Sequence, residues 1–155
     1  MKKSIGIRVT PATVYFSIVS INDDELEIIA IDRINNPKAL NTPEQLKFIR
    51  NTLGDIINEF SITNACIRVT ESNAKSISIQ RIYIEGVIQE LFASSTIMNY
   101  YIGQISNISS SLGIERSKFK PLADGNEIYG NIDNWKKYSL EERESMLSAI
   151  SALNI

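Results

Sequence analysis

The sequence predicts an α/β fold, a mixed five-stranded sheet with helices packed on both faces. Three observations carry this. The first third of the chain alternates apolar and polar residues in three short runs, the period of half-buried strands. The middle then switches to apolar residues at spacings of three and four, the period of helices, with short apolar runs between them. The links between the first three runs are too short for anything but antiparallel hairpins, whereas the later runs are separated by helices, which parallel pairing requires.

The elements follow in order. Ser4 to Val9 places Ile5, Ile7 and Val9 on one side of a strand, and Thr10-Pro11-Ala12-Thr13 breaks it. Val14, Phe16 and Ile18 begin a second strand of the same period. Asn22-Asp23-Asp24 is a turn, because short polar side chains satisfy nearby backbone donors, and Leu26 to Ile34 is a third strand. Thr42-Pro43-Glu44-Gln45 predicts a helix start, with Thr42 as the cap, Pro43 in the first position and Gln45 closing a capping box. Leu46, Ile49, Leu53, Ile56, Ile57 and Phe60 form its apolar stripe.

Ala65 to Thr70 is a short buried strand. A second helix is expected from Ser76 to Phe92, with Ile79, Ile82, Tyr83, Val87 and Leu91 inward, Glu85 toward solvent, and Gly86 at a close helix–sheet contact. Thr96 to Tyr100 is a fifth strand, and Ile102, Ile105, Ile108 and Leu112 mark a third helix stopped by Gly113. Residues 114–138 read as an irregular polar connection, and Ser139 caps a last helix over 139–153 carrying Leu140, Met146, Leu147, Ile150 and Leu153. The whole of 1–155 is thereby read as one domain, a size that supports a single layered core.

Composition narrows the function. No apolar run reaches the roughly 20 residues that span a bilayer, so no membrane association is expected. Met1-Lys2-Lys3 leads directly into a strand pattern rather than a signal peptide, and the single cysteine, Cys66, fits a reducing compartment; both point to the cytoplasm. The chain has no histidine, which removes the commonest general base and most zinc sites, and no glycine-rich phosphate loop. A net charge of −2 and a pI near 5.2 give no support to nucleic-acid binding through phosphates.

Four segments carry a resemblance. SIGIRVTPATVYFSIVS resembles the first strand pair of the RuvC-like resolvases, ACIRVTES their fourth strand, IQRIYIEGVIQEL the helix behind it, and IMNYYIGQISNISSSLGI the strand and helix that follow. The resemblance is a pattern spread over most of the chain, without a single specific motif, and it is closer still to small bacterial proteins of the same ribonuclease-H-like superfamily. It implies the strand order 3-2-1-4-5. Chemistry in that superfamily implies clustered carboxylates holding two Mg²⁺ ions about 4 Å apart. Here the strand-one ligand position is Arg8 and the strand-four position aligns with Arg68, neither of which can hold a metal.

The candidate cleft is therefore Arg8, Arg68, Glu71, Glu141 and Glu144, with no catalytic residue, no metal ligand and no cofactor. The simplest reading pairs both arginines with nearby acids, Glu71 or the first turn of the last helix, in place of a metal bridge. A second candidate is an edge formed by Lys118, Lys120, Trp135, Lys136 and Lys137, where lysines interleave with aromatics; a solvated edge with one anchoring Trp is its ordinary explanation. Three functions follow in order: a non-catalytic ribonuclease-H-like module acting through a protein partner or self-association, a divergent metal-dependent nuclease or resolvase with relocated acids, and a nucleic-acid-binding protein without catalysis.

Overall fold

The computed structural model describes all residues from Met1 to Ile155. Three strands come first, β1 (Lys2–Val9), β2 (Thr13–Asn22) and β3 (Glu25–Asn35), then α1 (Thr42–Phe60), β4 (Asn64–Arg68), α2 (Ile79–Ser94) and β5 (Asn99–Gly103). The chain ends with α3 (Ile105–Leu112), α4 (Arg116–Ala123), a 3₁₀ turn at Trp135–Lys137 and α5 (Leu140–Ala152). The sheet runs β3-β2-β1-β4-β5, antiparallel through the meander and parallel across β1, β4 and β5. This is the order the resemblance implies. Asp23 and Asp24 take left-handed φ values of 49° and 64°, the hairpin geometry that matches strand twist.

Strand alternation divides the chemistry between the two faces. One face carries Ile5, Ile7, Val9, Val14, Phe16, Ile18 and Ile67, packed against Ile49, Leu53 and Ile57 of α1 and Ile84, Ile88 and Leu91 of α2. The other carries Ser4 and Gly6 of β1, Ser17 of β2 and Asn64 of β4 beneath α5. Gly6 is obligatory there, since a Cβ would lie 2.1 Å from Ala149 N and Ser145 O of α5. Small polar residues close the gap. Ser4 donates to Ala149 O, Ser17 and Ser145 share a hydrogen bond of 2.6 Å, and Asn64 Nδ2 donates to Ala152 O at 2.9 Å.

Several expectations are corrected. The α1 cap is Asn41, which accepts from Glu44 N at 3.0 Å, and Thr42 is the first helical residue. Gln45 closes no capping box; it donates to Pro37 O and accepts from Gln80 Nε2, tying α1 to α2. On α1 Ile49 is fully buried, whereas Ile56 is only partly so. β5 lies three residues later than expected, so Ile102 belongs to it and not to α3. The stretch 114–138 contains a regular helix, α4, whose Phe119, Leu122 and Ala123 enter a second core with Trp135.

The largest correction is the phase of α2. Ile79, Ile82 and Tyr83 face outward at 65%, 41% and 50% exposure, while Ile84, Glu85, Ile88 and Phe92 are buried. The helix starts at Ile79 with Ser78 as its cap. It is apolar on both sides, so two stripes compete in the sequence and only packing chooses between them. Gly86 lies on the outer side, where an added Cβ would touch nothing within 4 Å, rather than against the sheet. No helix is long and apolar enough to cross a membrane.

Candidate functional site

The site is built at the ends of two parallel neighbours. Arg8 on β1 and Arg68 on β4 are register partners, and strand alternation sends both side chains toward α5. Their side chains are only 13% and 8% exposed. Two guanidinium groups held this close in a largely dry cleft require an anion. α5 supplies it one turn from its start: the Glu144 carboxylate, 7% exposed, accepts from Arg8 Nε and lies 3.9 Å from Arg68 Nε. A serine cap and capping box with Glu142 fix where that helix begins and hence where Glu144 points.

Arg68 has further partners. Its Nη1 donates to Val69 O and lies 3.3 Å from Glu71 Oε2, and its guanidinium stands 6.0 Å from the Phe119 ring centroid. Glu71 also accepts from Ile105 N, the first residue of α3, at 3.2 Å, and reaches Arg116 of α4 at 3.8 Å. One carboxylate thus joins β4, α3 and α4. Arg68 Nε remains buried without a hydrogen-bond acceptor, although the Glu144 charge is within ion-pair range.

A second pair flanks the first. Glu85, buried within α2, accepts from Thr70 N at 3.0 Å, Thr70 Oγ1 at 3.1 Å and Arg81 Nε at 2.8 Å. Burial lowers the Arg81 pKa from its ordinary value, and the positive charges of Arg8 and Arg68 lower it further against the opposing pull of Glu85. Three guanidinium groups, Arg8, Arg68 and Arg81, are matched by three carboxylates, Glu71, Glu85 and Glu144. Ion pairs fill the cleft, and no group of three or more acids, cysteines or histidines is gathered where a metal ion could sit.

Of the candidate cleft residues, the structure brings together Arg8, Arg68, Glu71 and Glu144. Glu141 stays apart, half-exposed in the first turn of α5 and without an ion pair. Arg81 and Glu85 were not among the candidates. Their i,i+4 spacing was a visible signal, but the wrong α2 phase assigned Glu85 to solvent.

The lysine-aromatic edge does not form as a stacking surface. Lys118, Lys120, Lys136 and Lys137 are exposed, with Lys118 3.8 Å from Glu127. Trp135 is 1% exposed, its Nε1 donating to Leu122 O at 2.9 Å, and Phe119 is fully buried. Neither ring presents a face to a base.

No protein-family model and no curated protein matches the chain by sequence. Solved structures match it by shape. Thermus thermophilus RuvC superposes with a TM-score of 0.70 at 7% identity, covering 98% of this chain and 93% of that one. The same values hold for T. thermophilus RuvC in complex with a Holliday junction substrate. The fowlpox virus resolvase, in complex with Holliday junction DNA, matches with a TM-score of 0.56 at 10% identity over 96% of this chain and 95% of that one. The chain therefore has the ribonuclease-H-like fold of the RuvC resolvases over nearly its whole length.

Proposed function

We propose that this chain is a non-catalytic ribonuclease-H-like module that acts by associating with a second copy of itself. The observation that carries the first half is Glu144 held between Arg8 and Arg68. Metal-dependent cleavage needs carboxylates free to bind Mg²⁺, and here the buried acids of the cleft are committed to arginines. The same pairing speaks against a phosphate site, since the guanidinium charges are already neutralised, and the net charge of −2 adds nothing to attract DNA.

The outer face of α2 supports the second half. Ile79, Ile82 and Tyr83 are exposed on it beside Gly86. A glycine inside a helix costs about 1 kcal/mol relative to alanine, and no contact within the chain requires this one. It is accounted for by a second helix crossing closely. An antiparallel pair with its two-fold axis between Ile82 and Tyr83 sets Ile79 into the notch at the partner's Gly86. It also brings the C-terminal half with Glu90 toward the positive end of the partner helix. Tyr100 and Ile102 on the adjacent edge strand extend the apolar surface, linked to α2 by the Phe92–Tyr100 ring contact at 6.0 Å.

Two measurements test the two halves. Purified protein with four-way junction, single-stranded and hybrid substrates in Mg²⁺ or Mn²⁺ is expected to show no cleavage. Cleavage that survives purification and disappears in Glu71→Ala would instead establish a nuclease with relocated acids. Sedimentation is expected to give twice the 17.4 kDa chain mass, and Gly86→Leu to give the monomer with unchanged circular dichroism. A wild-type monomer at all concentrations overturns self-association.

A further inference from the structure

The irregular segment between α4 and α5 is held more firmly than a connection requires. Arg143 of α5, 7% exposed, donates from Nε to Ala123 O at 2.6 Å and from Nη1 to the carbonyls of Trp135 and Tyr138. Gly125, at φ +81°, lies against the guanidinium, where a Cβ would come within 2.9 Å of Cζ. The Trp135 indole pins the segment to α4 from within. A buried cation and a buried tryptophan thus fix the shape of a surface loop, and fixed loops on a rigid scaffold are where binding surfaces are found.

The surface that this loop shapes is a groove. It runs between the loop and the first residues of β3, an edge strand, and has a volume of about 660 Å³. Its apolar wall includes Ile28, Ile132 and the rings of Tyr129 and Tyr138, and its rim carries the carboxylates of Glu25 and Asp133. No lysine or arginine lines it. Lys136 and Lys137 line an adjoining groove with Trp135 that shares residues 130–134 with this one. The Arg143 charge is turned onto backbone carbonyls behind the loop. Tyr129 packs against Trp135 at 6.4 Å between ring centroids, and burial raises its hydroxyl pKa, so the phenol adds no charge to the groove. The acidic rim continues past the groove through Asp23 and Glu27 around the β2–β3 turn.

Two tyrosine rings, an aliphatic wall and two carboxylates, with no cation in the lining itself, suit one class of ligand, a positive charge on a carbon stem. The stem packs on the wall while the charge meets ring faces and carboxylates. We propose that this groove binds an alkylammonium or guanidinium group, either a lysine or arginine side chain of a partner protein or a free amine. The inference does not depend on self-association through α2, which lies on the opposite face of the sheet.

Amide chemical shifts of the full chain, titrated with n-butylammonium, N-acetylarginine amide and sodium butyrate, test it. The two cations are expected to give saturable shifts at Glu25, Tyr129 and Ile132, and butyrate none. Glu25→Lys combined with Asp133→Lys, both at exposed positions, should weaken cation binding at least tenfold without altering circular dichroism. A lysine-bearing extended peptide that binds tenfold tighter than butylammonium identifies a protein side chain as the ligand, and equal affinity identifies a free amine. Absence of cation shifts, equal shifts with butyrate, or binding unaffected by the double variant overturns the proposal.

Discussion

The two faces of the sheet are covered by helices in opposite ways. Under α1 and α2 the strands present Ile, Val and Phe, and the helices stand off at the distance these side chains set. Under α5 the strands present Ser4, Gly6, Ser17 and Asn64, and the helix backbone itself touches the sheet. The first face is stabilised by the volume of apolar groups removed from water. The second depends on close approach and on satisfying each polar group that this approach buries. Close approach is also what brings Glu144 down to the two strand-end arginines, so the packing of the second face and the closure of the cleft are one arrangement.

Breaking the close approach should have the largest effect. Gly6→Val forces its side chain into the backbone of Ser145 and Ala149, which cannot yield as a side-chain tip would. Destabilisation above about 3 kcal/mol is expected, and a thermal unfolding midpoint within a few degrees of wild type would show that α5 can lift off the sheet.

Next comes the cleft. Glu144→Ala leaves Arg8 and Arg68 buried side by side without their shared anion, a change expected to cost about 3–5 kcal/mol. Arg8→Asp should also destabilise, because it sets a carboxylate against Glu144, and it should bring no nuclease activity. Urea midpoints for both variants check the direction. An Arg8→Asp protein as stable as wild type would mean that the ion pair does not hold α5 in place.

The apolar face answers to a different substitution. Leu53→Ala opens a cavity among fully buried residues and should cost about 2–5 kcal/mol, whereas Ile56→Ala, on a partly exposed position of the same helix, should cost clearly less. Equal losses would indicate that α1 is rotated from the phase described above.

This contrast also explains what could be read in advance. β1, β2 and α1 each have one apolar side, and that side is the one packed into the larger core, although β1 and β2 are buried on their polar side as well; the sheet order follows from hairpin links and the resemblance. α2 is apolar on two sides, and periodicity cannot rank two competing stripes, so Ile79, Ile82 and Tyr83 are expected inward and lie outward. α5 is buried around its circumference, with Ser145, Ser148 and Ser151 against the strands, and interior serines add nothing to the hydrophobic period that a sequence displays. In the cleft, strand-end positions were legible for Arg8 and Arg68. Among the acids of the last helix, sequence gave no reason to prefer Glu144 over Glu141, since the choice depends on helix rotation against Gly6. Glu85 was lost with the phase of its helix.

The smallest expected effect concerns the hydrogen bonds of the polar face. Ser17 and Ser145 are both fully buried and bonded to each other, and Ser145 Oγ also donates to Glu142 O at 2.7 Å. Ser17→Ala removes one partner, but Ser145 keeps its acceptor on the helix, so a loss of about 1 kcal/mol is expected. Ser145→Ala leaves the Ser17 hydroxyl buried without its partner and should cost somewhat more, on the order of 1–3 kcal/mol. Replacing both removes the two polar groups together while preserving the small volume that close approach needs. The double variant should therefore lose less than the sum of the single losses, with a coupling of at least about 0.5 kcal/mol in a double-mutant cycle. Additive losses would show that these hydroxyls act independently, and that shape alone, rather than polar pairing, holds α5 against the sheet.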